Sequence, residues 1–370
     1  MKNSGVDIIR NHLKSIPSCP GVYRMIDIHD KILYVGKAKN LFKRVSNYTQ
    51  LDRLTPRIRN MVTQTVNLEI LTTETEAEAL LLEANLIKNL QPRYNILLRD
   101  DKSFPYILLR EDHEFNQALK YRGNKNIKGK YYGPFASARD VNETITHLQK
   151  VFLLRSCSDS YFNSRKRPCM LYQIKRCSAP CVGKIDKDDY KDLVDQAADF
   201  LTGKTSVLQK KLSDLMNEAS NNLNYELAAV YRDRIQTLTN IQAKNNIANF
   251  GIMDGDLFAL HKTENGCCIQ VFFFRAGQHY GNKAYFPIHA EESDSKEIIS
   301  AFIGQFYQRR FPPKEIIINY NIENVDSIEQ ALSSIVDYRV KINIPKIGKK
   351  KEAMNFALNN AKEALIRKMA

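Results

Sequence analysis

Two tyrosines, a lysine and an arginine near the start of the chain could combine proton transfer with fixed positive charge. Tyr23 ends the run Gly21-Val22-Tyr23, and Tyr34 begins the run Tyr34-Val35-Gly36, which continues through Lys37 to Arg44. Phenols can transfer protons, and cations can stabilise charge on a phosphate, so the set suits phosphodiester chemistry. Tyrosines are also good strand formers, which leaves a purely structural interpretation of the two phenols open.

A β-hairpin would position the two tyrosines. Apolar and aromatic residues flank a polar centre at 27–31, and this pattern predicts two antiparallel strands that bring Tyr23 and Tyr34 to one cleft. A helix that begins near Asn40 would place Lys37 and Arg44 close to the same cleft.

A carboxylate on a predicted helix is a further candidate. Thr75 to Glu78 form a capping-box pattern, which predicts a helix that runs to about Leu90 and ends before Pro92. Glu83 lies in the middle of this helix, and its neighbours at three and four residues are apolar. A carboxylate on such a face needs protonation, an Arg or Lys, or a metal ion, and we prefer the metal ion.

These motifs resemble the GIY-YIG nuclease signature, in the form found in the UvrC family of excinucleases. The matching segments are Pro20 to Tyr23, Tyr34 to Lys39, Arg44, Glu83 to Lys88, and Gln91 to Asn95. The resemblance continues through most of the chain, including Tyr132-Gly133-Pro134-Phe135 and a later helical motif.

The resemblance implies a role for each site residue. Glu83 would hold one Mg²⁺ or Mn²⁺, Tyr23 would act as the general base or relay to it, and Arg44 would stabilise phosphate charge. Tyr34, Lys37 and Asn95 would position the scissile group and tune the neighbouring phenol. A cation beside Tyr23 is expected to lower its pKa.

Charge is concentrated in the first half of the chain. The 370 residues carry a net charge of +14; residues 1–100 hold 15 Lys and Arg against 10 Asp and Glu, 101–182 hold 15 against 7, and 183–370 hold 25 against 24. This distribution favours contact with a phosphate backbone, although a solvated basic surface remains an alternative. Aromatic residues alternate with cations in the segment Lys130 to Phe135, where they could stack on bases or pack a turn.

Export and membrane insertion are not expected. The N-terminus has no apolar signal core, no apolar run approaches a membrane span, and a cytoplasmic location is predicted. The seven cysteines are therefore expected to be reduced thiols or metal ligands.

Four cysteines fall within 25 residues: Cys157, Cys169, Cys177 and Cys181. Four thiols can complete a site for Zn²⁺ or an iron–sulfur cluster, but the spacing lacks paired CxxC motifs, so reduced core thiols remain an alternative. The family resemblance favours an iron–sulfur cluster without excluding zinc. Cys19, Cys267 and Cys268 have no such grouping and are predicted to be packing residues.

Two short amphipathic helices are predicted at 205–240, separated by polar residues at 221–224. Their apolar seam needs a covering surface, which is either the rest of this chain or a partner. The run Tyr225 to Asp233 resembles the UVR motif, which in the family pairs with the helicase subunit UvrB. The residues expected to contact this partner are Leu215, Tyr225, Ala228 and Tyr231.

The predicted architecture is a multidomain α+β protein. The expected regions are a small α/β GIY-YIG nuclease domain at 1–98 (core 18–96), a basic connector at 99–204 with its Cys-rich part at 157–181, the UVR hairpin at 205–240, and part of an RNase H-like α/β region at 250–370. By resemblance, the catalytic residues of that last region would lie beyond Ala370, so the chain looks C-terminally truncated. Asp254 and Asp256 are predicted to be turn residues.

The implied function is metal-dependent hydrolysis of the DNA phosphodiester 3′ to a lesion in nucleotide excision repair, without the 5′ incision site. DNA and a UvrB-like helicase subunit are the expected partners, with a UvrA-like damage sensor as an indirect one. Two alternatives remain: a GIY-YIG nuclease outside repair, and a catalytically decayed adaptor that binds DNA and partner.

Overall fold

A computed structural model describes residues 5–98, 104–123, 125–245 and 250–370. It divides into two units: the described residues of the first fall in 1–101, 256–271 and 284–370, and those of the second in 102–255 and 272–283. The start of the predicted connector, 99–103, lies outside the described residues. Among the residues described, no helix is both long enough and apolar enough to cross a membrane.

Residues 5–98 form a three-stranded sheet with helices. Their elements are α1 (Gly5–Leu13), β1 (Gly21–Ile26), β2 (Ile32–Ala38), α2 (Leu41–Ser46), α3 (Pro56–Gln64), β3 (Asn67–Thr72) and α4 (Glu76–Leu90). The strand order is β2-β1-β3, and both pairings are antiparallel. Tyr23 lies opposite Gly36 and Tyr34 opposite Met25, so the predicted hairpin is confirmed.

Each face of this sheet packs against different helices because side chains alternate along a strand. Tyr23 and Tyr34 belong to a core with Ile9 of α1 and Val45 of α2. Val22 and Val35 face the other way and pack with Ala79 and Ile87 of α4.

Local signals fix both ends of α4. The Thr75 hydroxyl accepts a hydrogen bond from the Glu78 N–H at 3.1 Å, as a helix N-cap does. Gln91 ends the helix in the left-handed conformation, with φ of 46°, and Pro92 cannot continue it. The predicted helix and its bounds are confirmed.

The middle of the chain contains a second three-stranded antiparallel sheet, of order β5-β4-β6, followed by helices. Its elements are β4 (Tyr106–Arg110), β5 (Gln117–Tyr121), β6 (Gly129–Tyr132), α5 (Ala138–Phe152), α6 (Asp159–Asn163), α7 (Met170–Gln173), α8 (Lys187–Leu201), α9 (Thr205–Asn221) and α10 (Tyr225–Asn245). The antiparallel pair α9 and α10 confirms the predicted helical hairpin. Phe135 is buried and stacks on Tyr280 at 4.5 Å between ring centroids, so this aromatic residue packs a turn.

The last part of the chain adds a five-stranded sheet, of order β11-β10-β7-β8-β9, and three helices. Its elements are β7 (Gly255–Thr263), β8 (Gly266–Arg275), β9 (Gln278–Tyr285), α11 (Ser295–Phe306), β10 (Glu315–Ile318), α12 (Val325–Ser333), β11 (Lys341–Asn343) and α13 (Lys349–Met369). The turn assignment of Asp256 is wrong: this residue lies in β7, is buried, and accepts a hydrogen bond from the Tyr307 hydroxyl at 2.7 Å. The predicted α+β class is confirmed.

Candidate active site

Three buried tyrosines form the centre of the candidate site. The rings of Tyr23 and Tyr34 lie 6.1 Å apart, those of Tyr23 and Tyr48 lie 5.9 Å apart, and the Tyr23 and Tyr48 hydroxyls are hydrogen-bonded at 2.7 Å. A Cβ on Gly36 would come within 2.3 Å of the Tyr23 hydroxyl oxygen. Only glycine therefore lets the Tyr23 ring cross β2, which gives the second glycine of the signature a physical reason.

Burial determines the protonation of these phenols. It raises the pKa of Tyr23 and Tyr34 well above the ordinary value, and the neighbouring phenol raises each further. Arg44 acts in the opposite direction on the pKa values of Tyr23, Tyr34 and Tyr48, but burial outweighs it. Arg44 thus lowers the pKa of Tyr23, as expected for a neighbouring cation, but the larger effect of burial leaves the pKa raised, and Tyr23 is neutral at neutral pH.

Tyr48 is a site residue that the sequence motifs did not indicate. It lies in a single 3₁₀ turn, Asn47–Thr49, which directly continues α2. Arg44 and Tyr48 are four residues apart, so they share one face of the continued helix. That spacing was a usable signal, because it places an aromatic residue beside the predicted phosphate-binding cation.

Glu83 and Asn95 both contact the backbone of β2 at its free edge. Glu83 Oε1 accepts a hydrogen bond from the Lys37 N–H at 2.9 Å. The Asn95 side chain accepts from the Val35 N–H at 2.8 Å and donates to the Val35 carbonyl at 2.7 Å. The Tyr94 N–H donates to the Leu33 carbonyl at 3.0 Å. Four outward backbone groups of β2 are thus paired without a fourth strand.

Asn95 is buried, and both the oxygen and the nitrogen of its side-chain amide are hydrogen-bonded to the backbone of Val35. The family resemblance implied that Asn95 positions the scissile group. In the structure its side chain holds β2, next to Tyr34, so any effect on the scissile group is transmitted through the strand.

The electrostatics of Glu83 suit a cation-binding carboxylate. Burial raises its pKa, whereas Lys37 and Arg44 lower it and the carboxylate of Glu297 raises it further. Within the described residues, Glu83 makes no ion pair within 4 Å, and its Oε2 accepts no hydrogen bond from protein. Mg²⁺ is commonly bound through one or two carboxylates together with waters, although no group of three metal-binding side chains occurs in the described part.

The four clustered cysteines line one cavity of about 210 Å³. Cys177 is buried, and its thiol pKa is raised to about 11, first by burial and then by the other three thiols. The structure thus brings together the four cysteines that the sequence singled out. In the described residues, however, no set of three metal-binding side chains is arranged to hold an ion.

The helical hairpin is covered at one end and exposed at the other. Leu208, Leu212 and Leu238 are buried, and α9 and α10 pack on each other and on α8 and α5 respectively. Leu223 and Tyr225, near the turn between the helices, are 72% and 65% exposed. Of the predicted contact residues, Tyr225 is exposed, and the remaining three are half-buried: Leu215, Ala228 and Tyr231.

Four family models match successive parts of the chain. They are the UvrC-like GIY-YIG domain at 19–96, the middle domain of UvrC/Cho excinuclease at 104–200, the UvrB/uvrC motif at 206–241, and the UvrC ribonuclease H-like domain at 254–368.

Curated relatives match almost the whole chain. The UvrABC system protein C of Paramagnetospirillum magneticum is 51% identical over 366 residues, and that of Zymomonas mobilis is 54% identical over 369 residues. Each alignment covers 99% of this chain but only 59% and 56% of the respective relative. The chain therefore spans less than two thirds of the length of these relatives.

Among solved structures, the chain is similar to the GIY-YIG N-terminal endonuclease domain of UvrC from Thermotoga maritima, bound to its catalytic divalent cation, magnesium. The identity is 37%, the match covers 24% of this chain and 94% of that domain, and the TM-score is 0.22.

Proposed function

Because the chain belongs to the UvrC family, we propose that it is a DNA endonuclease of nucleotide excision repair that hydrolyses the phosphodiester on the 3′ side of a lesion. One observation carries the proposal: three tyrosines, Arg44 and the carboxylate of Glu83 converge on β1 and β2 of the small sheet. Phenols, a cation and a carboxylate are the groups that hydrolysis of a phosphodiester needs.

Glu83 would hold one Mg²⁺ or Mn²⁺ through Oε2, because Oε1 is already engaged by the Lys37 N–H. When bound, the ion supplies positive charge for the phosphate oxygens and the leaving group. Arg44, which lies beside the tyrosines, would stabilise the negative charge on the same phosphate. Lys37 adds a second cation near Glu83.

Tyr23 and Tyr48 would hold and move the proton of the attacking water. Their hydroxyls are joined by a hydrogen bond at 2.7 Å, so Tyr23 can take the proton of the water while it gives its own proton to Tyr48, whose proton then passes to a phosphate oxygen of the DNA. The raised pKa of Tyr23 keeps it neutral before the reaction, which favours a relay over a permanent phenolate base.

The basic first half of the chain would bind the DNA backbone, and the exposed end of the helical hairpin would bind a UvrB-like helicase subunit. A UvrA-like damage sensor would act indirectly through that subunit. A cytoplasmic location stays a prediction, as do the bounds of the four regions and an iron–sulfur cluster or zinc at the four cysteines.

A nicking assay tests the function. The substrate is a singly lesioned duplex labelled at one 3′ end, incubated with the helicase subunit, Mg²⁺ or Mn²⁺, and this chain. The matched variant is Glu83→Gln, which keeps an acceptor for the Lys37 N–H but removes the charge. Glu78→Gln is the control, because it makes the same change on the exposed first turn of α4.

We expect a cut 3′ to the lesion that Glu83→Gln abolishes and Glu78→Gln preserves. Cuts on the 5′ side are scored in the same lanes with a second label. A stable, salt-sensitive complex without any cut would instead support the decayed adaptor, and equal cutting by Glu83→Gln would refute the assigned site.

A further inference from the structure

A short segment that follows α4 is held by residues near position 300. The Leu97 N–H donates to the Ile288 carbonyl at 3.1 Å, and the Ile288 N–H donates to the Leu97 carbonyl at 3.0 Å. The Gln305 side chain accepts from the Leu98 N–H and donates to the Ile96 carbonyl, both at 2.9 Å. Four backbone groups of three consecutive residues therefore depend on Ile288 and Gln305.

Further contacts fix the same region. His289 Nδ1 donates to the Asn95 carbonyl at 3.2 Å in the tautomer that carries the Nδ1 proton. The Arg57 guanidinium donates to the His289 carbonyl, and the Arg57 N–H donates to Glu292 Oε2 at 3.1 Å. The loop at 288–292 is thus tied to α3 and to the segment that carries Asn95.

Helix α11 also packs against the helix that carries Glu83. A Cβ on Gly304 would lie 3.7 Å from the Ala84 side chain, and Gln305, the next residue, is buried. Glu297 lies seven residues before Gly304, which is two helical turns, so both face α4. This agrees with the effect of the Glu297 carboxylate on the pKa of Glu83.

We propose that Gln305 is a positioning residue for the nuclease site, acting with Ile288 and His289 as a clamp on residues 95–98. The clamp fixes Asn95, and Asn95 fixes Val35 on β2 beside Tyr34 through two hydrogen bonds. The ribonuclease H-like region would thereby control the geometry of the GIY-YIG nuclease domain. This inference rests on the proposed function.

The test uses the full chain with Gln305→Leu, which removes both hydrogen-bonding groups at similar volume. A second variant, His289→Gly, removes the ring and suits the left-handed backbone there, with φ of 58°. Gln330→Leu, on the exposed side of α12, is the matched control. Amide hydrogen exchange of peptides covering 94–98 reports the clamp, and steady-state nicking gives kcat and KM for DNA.

We expect faster exchange at 94–98 in both clamp variants, a kcat lower by about tenfold to a hundredfold, and an unchanged KM. Gln330→Leu should match the wild type. Full kcat despite faster exchange would overturn the proposal, as would unchanged exchange. If Gln305→Leu does not fold, His289→Gly decides by the same criteria. If the wild type does not nick, the proposed function fails, and the exchange comparison alone then supports or overturns the clamp.

Discussion

A hydrogen bond joins the hydroxyls of Tyr48 and Tyr23, and this bond limits the proton transfer that Tyr23 can perform alone. A buried phenol with a raised pKa is a poor permanent base, but paired with a second phenol it can pass a proton on. The chemistry of the site therefore belongs to the pair.

Replacing Tyr48 with Phe tests the pair. The change keeps the ring and removes the hydroxyl, so we expect the nicking rate to fall by about a hundredfold or more. The free energy of unfolding should fall by about 1 kcal/mol, as for the removal of one hydrogen bond. Tyr280→Phe is the control, because it removes another buried hydroxyl, which donates to the Leu201 carbonyl at 3.0 Å. It should cost similar stability and leave nicking intact.

Stability at alkaline pH should report the buried phenols. Unfolded tyrosines ionise near pH 10, whereas Tyr23 in the folded protein has a raised pKa and keeps its proton. The stabilisation is therefore complete below about pH 10 and is lost as the pH rises towards the folded pKa, at about 1.4 kcal/mol per pH unit for each such group. Urea unfolding at several pH values above 9 should show a shallower decline for Tyr23→Phe than for the wild type; parallel curves would contradict the raised pKa.

At the scale of elements, the loop and short helices around the 210 Å³ cavity gather four thiols from 25 residues of chain. Burial raises the thiol pKa of Cys177 and Cys181, so these two thiols are protonated in the protein without metal. Thiolate ligands of zinc or iron would have to lose those protons on binding.

Metal analysis of anaerobically purified protein tests this cavity. We expect at least half an equivalent of iron or zinc per chain, because four thiols of the right type line one space. Cys177→Ser should lose the metal, and Cys268→Ser should keep it, since Cys268 packs with Ala361 and Leu365. A metal content below half an equivalent in the wild type would leave the four cysteines as reduced core thiols.

The hairpin of α9 and α10 offers a clean test of partner binding, because its exposed end and its buried end are separate. Tyr225→Asp places a charge on a residue that is 65% exposed near the turn, and Val207→Asp places the same charge on an equally exposed residue at the start of α9. We expect only Tyr225→Asp to abolish co-purification with the helicase subunit. Equal binding by both variants would show that the partner contacts another surface.

At the scale of the whole molecule, the positive charge is distributed unevenly. Residues 115–139 contain six Lys and Arg and no Asp or Glu, and Arg122 and Lys128 are exposed. The domain that follows the nuclease module is therefore a candidate DNA-binding surface.

The salt dependence of DNA binding measures this surface. Arg122→Glu combined with Lys128→Glu should weaken binding and reduce the slope of log K against log [salt] by about 0.9 for each phosphate that the variant no longer neutralises. Lys346→Glu combined with Lys349→Glu, also at exposed positions, makes the same charge change in the nearly neutral part of the chain and should have a smaller effect. Equal slopes for the two double variants would place DNA elsewhere.

The sequence predicted what depends on local pattern. Apolar and aromatic residues around a polar centre gave the hairpin of β1 and β2, and capping signals gave the bounds of α4. It did not reveal that Glu83 and Asn95 pair with β2, or that Gln305 holds residues 96–98, because these bonds join distant parts of the chain. The turn prediction for Asp256 failed for a related reason: Tyr307, 51 positions away, provides the hydroxyl that makes its burial possible.

The pairing of β2 by side chains has a consequence for solubility. An edge strand with open N–H and carbonyl groups invites a strand from another molecule, and here Glu83 and Asn95 block that edge. Replacing Asn95 with Ala would expose both groups of Val35 at once. Variants at this position should therefore be more prone to self-association than variants at Arg44, so the residues of the proposed active site would also protect the protein from aggregation.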